Sequence, residues 1–88
     1  MQLTTLALNL IISERLAQRA QLAQNMKEII ECEDELSPIA EVFKNRFLLH
    51  INRCVETPNC SSRLVLFGFA DFWNSYFKST PCKALAAA

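Results

Sequence analysis

His50, Cys54 and Cys60 are the residues of this chain whose types and spacing come closest to chemistry. They stand together in HINRCVETPNC, and the four-residue step from His50 to Cys54 puts both on one face of a helix, a geometry compatible with zinc. The pattern is not that of a standard zinc site. It contains no C-x-x-C pair, and a closed tetrahedral site needs a fourth ligand. These three residues are therefore weak metal candidates, and no cofactor is expected.

The other two thiols are Cys32 and Cys82. In an antiparallel helical reading, Cys54 lies about 16 residues, or roughly 24 Å, along its helix from the end where Cys32 sits. A returning helix would bring Cys82 towards Cys32 and Cys60 towards Cys54. Two pairs at opposite poles resemble a disulfide arrangement more than a four-thiol metal site. Free cysteine also packs as a small hydrophobe, so ordinary reduced thiols are the simplest expectation.

Nothing else suggests catalysis. The chain has one histidine and one glycine, hence no glycine-rich phosphate loop, and no grouping of nucleophile, base and orienting residue. We expect no enzyme and no catalytic residue. Asp71 is a carboxylate in an apolar stretch, but Asn74, Ser75 and Lys78 share its side of a helix, so it should face water.

Charge is more informative. Nine basic and nine acidic side chains cancel, which removes the positive field of a protein that binds the phosphate backbone. Nucleic acid is an unfavoured partner, and direct DNA binding is the weakest functional reading. Five acids cluster in EIIECEDE, Glu28 to Glu35. Of these, Glu33, Asp34 and Glu35 could form an acidic docking patch for a basic surface on another protein.

The elements that must position these residues read as helices. A single glycine leaves little scope for the tight turns of a sheet protein. From Leu3 to Cys32 the apolar residues Leu6, Leu10, Leu16, Ala20, Ala23, Met26 and Ile30 follow one helical face. One helix of that length would span on the order of 45 Å, longer than a compact domain of this size, so it must bend or overhang. The first twelve residues are apolar in too many directions for one wet side and need covering on two faces.

Ser37 and Pro38 form an N-cap and first-turn pair, which opens a second helix with Ile39, Phe43, Phe47, Ile51 and Val55 in a stripe. Pro58 and Asn59 break the chain. A third helix then runs from about Arg63 to Lys78, capped by Ser61 or Ser62. It contains FGFADFWNSYF, in which Phe69, Trp73, Tyr76 and Phe77 form a core stripe and Phe67 and Phe72 fall outside it. Residues 81–88, beginning at Pro81, read as a loose C-terminal tail of appended character.

The expectation is thus all-α: one domain over residues 1–80, a small antiparallel bundle of three helices, or four if the first bends, completed by oligomerisation. The chain is 51% apolar, more than a thin 88-residue core hides easily. A homodimer is expected, with Leu3, Leu6, Leu10, Ala17, Ala20, Phe67 and Phe72 as association residues. The apolar N-terminal run lacks a preceding basic residue and is too short for a membrane span, so the reading is cytoplasmic with no membrane partner. Function is expected to be non-enzymatic: a protein-interaction module that binds and modulates or inhibits another protein, such as a transcription factor, in the manner of small bacterial or phage regulators. The alternative is a metal-binding or thiol-dependent module built on His50, Cys54 and Cys60.

Overall fold

The computed structural model describes residues 2–33, 36–57 and 59–77. They form four helices: α1 (Leu3–Ile12), α2 (Leu16–Glu31), α3 (Pro38–Glu56) and α4 (Ser62–Phe77). There is no strand among the described residues. Helix α1 lies against α2 and α4, and α3 lies against the same two helices from the far side, with α1 and α3 touching across the diagonal. The third expected helix is helical from Ser62 to Phe77. None of the described helices is long and apolar enough to cross a membrane.

The long N-terminal helix divides at Ser13–Arg15. Ser13 (φ −74°, ψ 131°) and Arg15 (φ −90°, ψ 129°) are extended, and neither glycine nor proline marks the place. The break lets the single core stripe of α1, Leu3, Leu6, Ala7 and Leu10, pack on both α2 and α4, whereas Leu8 and Ile12 stand 50% and 66% exposed, so the expected cover on two faces is not met. The molecule extends 33 Å along its longest axis, too short for an unbroken helix of on the order of 45 Å.

Leu3, Leu6 and Leu10, expected at a seam between chains, instead fill the core of their own chain at 1% exposure each. Their spacing is that of an internal stripe, and the fold uses it internally. Ala17 and Ala20 are exposed. On α2 the core stripe is Arg19, Ala23, Met26 and Ile30, so Arg19 takes the place expected for Leu16 and Ala20. Leu16 stands 60% exposed at the turn.

Arg19 is 6% exposed and is held by two backbone carbonyls. Its Nε donates to the Val55 oxygen at 3.1 Å and its Nη1 to the Ser13 oxygen at 3.2 Å. Val55 is in the last turn of α3 and Ser13 is the C-cap of α1, so one guanidinium serves two helix C-termini. Both lack intrahelical partners for their final carbonyls and carry partial negative charge. The break and the far end of α3 are thereby fixed to each other.

Helix α3 starts as expected, with the Ser37 hydroxyl accepting from the Ala40 N–H at 3.2 Å and Pro38 in the first turn. Its buried side is Ala40, Phe47, Ile51 and Cys54, and that of α4 is Ser62, Leu66, Ala70 and Trp73. Both stripes are rotated from the expected ones. Ile39 is 83% exposed and Tyr76 is 56% exposed, while Ala40 and Ala70 are buried.

Candidate functional site

Two places on the fold bring distinctive side chains together. The first is the α3–α4 corner. Thr57 closes α3, and the Cys60 N–H donates to the Thr57 oxygen at 3.0 Å, which folds the connection back over the last turn of α3. The Cys60 thiol reaches the Arg53 carbonyl at 3.6 Å. Cys54, the next residue, is 2% exposed, and its thiol lies beside that of Cys60. Both are free cysteines. The expected approach of Cys60 to Cys54 is therefore present.

Electrostatics separates the two thiols. Burial pushes the Cys54 pKa up to about 11, helped by the neighbouring Cys60 sulfur, which also accepts from the Cys54 thiol. For Cys60 burial works in the same direction but is outweighed. The Ser62 N–H and hydroxyl, the Arg63 N–H and the Cys54 thiol all favour its thiolate, and its pKa falls below the ordinary thiol value. These donors sit at the N-terminus of α4, where the helix dipole favours negative charge.

His50 completes this corner through Ser62. His50 Nδ1 and Ser62 Oγ share a hydrogen bond of 2.8 Å, and Ser62 is 1% exposed. The imidazole also lies 5.0 Å from the Phe69 ring. Its pKa is lowered by burial first, then by the positive charges of Arg53 and Arg46. Three candidates from the sequence are thus near one another, but Ser62 stands between the imidazole and the thiols. Among the described residues no three His, Cys, Asp or Glu side chains converge as a metal site.

The opposite pole is different. Cys32 is disulfide-bonded, a departure from the expectation that every thiol is reduced. The predicted neighbour Cys82 lies outside the described residues, as do Asp34 and Glu35 of the acidic docking patch. Glu33 is partly buried. Asp71 is exposed, as its neighbours on the helix suggested.

The second place is the valley between α3 and α4. Phe43 lies 4.7 Å from both Phe69 and Phe72, and Phe72 stacks on Tyr76 at 6.0 Å. Beside these rings is an apolar cavity of about 190 Å³, with Ala40 and Trp73 among its lining residues and Ile39 and Tyr76 at its exposed rim. Phe72 is 53% exposed here. Phe67 is 45% exposed but stands five residues away, about 140° around the helix, so it belongs to another surface.

Sequence reasoning missed Arg19 and gave Ser62 only a capping role. A basic residue interrupting a small, apolar helical stripe was the available signal for Arg19. The chain matches no protein-family model, no curated protein and no solved structure.

Proposed function

We propose that this protein is a non-enzymatic helical interaction module that pairs with a second copy of itself through the aromatic valley between α3 and α4. The observation that carries the reading is the exposure of Ile39 (83%), Phe72 (53%) and Tyr76 (56%) around one apolar cavity. Clustered exposed aromatics of this kind form the centre of association surfaces, where burial of rings supplies most of the affinity.

A second copy is the occupant that fits the chain's charge. The formal net charge is zero, so like molecules meet without long-range repulsion. The rings are already stacked on one another, which lowers the ordering cost of docking. Action on a larger protein, for instance a transcription factor, belongs to the same proposal and rests on small size and neutrality.

The test is the mass in solution at micromolar concentration. Light scattering on the full chain should give twice the chain mass, and Phe72→Ser should shift it towards one chain mass with unchanged helical circular dichroism. A wild-type monomer across that range would refute the pairing.

A further inference from the structure

Cys60 and Cys54 form an asymmetric pair: Cys54 belongs to the core, and Cys60 packs against that core from the surface. Cys60 is partly exposed, held over the last turn of α3 by its bonds to Thr57 and Arg53. Cys54 is 2% exposed and meets no external reagent directly, yet its thiol is adjacent to that of Cys60. The outer sulfur also faces the first N–H groups of a 16-residue helix and the Ser62 hydroxyl, which His50 holds in place.

From this juxtaposition we infer that the pair is a site of thiol–disulfide exchange with small disulfides, in which Cys60 attacks and Cys54 resolves. In the first step the Cys60 thiolate attacks one sulfur of a disulfide RSSR. A Cys60–S–S–R bond forms, the original S–S bond breaks, and RS⁻ leaves to take a proton from solvent. In the second step the Cys54 sulfur attacks the Cys60 sulfur and the Cys54 proton passes to the departing thiolate. The Cys54–Cys60 bond forms, the Cys60–S–R bond breaks, and the second R group leaves as RSH. Two protein thiols are oxidised to one disulfide, and RSSR is reduced to two RSH.

The division of labour follows from position. An attacking thiol must be accessible and stabilised as thiolate, which fits Cys60 at the helix N-terminus. A resolving thiol must be shielded from outside reagents and close to the first, which fits Cys54. Only five residues separate them in the sequence, so the bond would close a small loop at this corner. Cys32, already in a disulfide at the other pole, takes no part.

The experiment uses the intact chain with glutathione disulfide at neutral pH, acid quenching and peptide mapping by mass spectrometry. The wild type should yield the Cys54–Cys60 disulfide. Cys54→Ser should accumulate a glutathione adduct on Cys60, and Cys60→Ser should leave Cys54 unmodified or react at least about tenfold more slowly, as a shielded thiol does. An adduct on Cys54 at the wild-type rate, or none on Cys60 in Cys54→Ser, overturns the inference. Should either variant lose helical circular dichroism, brief alkylation of the reduced wild type decides. Cys60 labelled well before Cys54 supports the assignment, and equal or reversed labelling overturns it.

Discussion

The Arg19 guanidinium donates to the Val55 carbonyl at 3.1 Å while also holding the Ser13 carbonyl, and so joins the C-termini of α3 and α1. The contact involves no carboxylate. It is satisfied by carbonyls that helices leave free at their ends, in a field that favours a cation.

Replacing Arg19 should therefore cost stability out of proportion to its sequence setting. Arg19→Met keeps much of the apolar stem but strands both acceptors, and we expect a loss of about 2–4 kcal/mol. Arg19→Lys should recover only part, because a single ammonium cannot reproduce the guanidinium fork. Urea unfolding of the three proteins measures this. Equal stability of wild type and Arg19→Met would show that the two bonds contribute nothing.

His50 makes stability depend on mild acid. Its folded pKa is lowered by burial and by Arg53 and Arg46, whereas the unfolded value is about 6.5. As pH falls through about 6.5, the unfolded chain binds the proton more readily than the folded one, so stability present above that pH is lost below it. The melting temperature should fall between pH 7.5 and 5.5, and His50→Gln should flatten that dependence. A melting temperature that rises with acidification would reverse the sign assigned here.

The two thiols should titrate apart. Cys60, whose thiolate is favoured by the α4 donors, should react with iodoacetamide with a midpoint below the ordinary thiol range, and Cys54 only as pH approaches about 11. Rate profiles by mass spectrometry, resolved by peptide, read both midpoints. Coincident profiles would mean that burial and helix position do not distinguish the sulfurs.

The all-α class and the Ser37–Pro38 start of α3 were legible because caps and helical spacing are local properties of the sequence. The break at Ser13–Arg15 was visible only as a length problem, since no glycine or proline marks it and tertiary cover of α1 decides it. Stripe rotation was illegible for a related reason. Phe43 and Ile39 share a helical spacing with Phe47, and only packing against the other helices selects which side is buried. The Cys54–Cys60 approach followed from helix direction. The roles of Ser62 and Arg19 did not, because each depends on a carbonyl, ring or sulfur brought from another part of the chain.

Phe67 and Phe72, grouped by sequence as outlying aromatics, separate the account from its rivals because they stand on different sides of α4. Light scattering over a micromolar dilution series of wild type, Phe72→Ser and Phe67→Ser is the most direct measurement. Pairing through the α3–α4 valley predicts a wild-type dimer, association weakened little by Phe67→Ser, and a dissociation constant raised about tenfold or more by Phe72→Ser, the order expected for a central aromatic anchor. A monomeric wild type, or a dimer that Phe67→Ser disrupts and Phe72→Ser leaves intact, would contradict it.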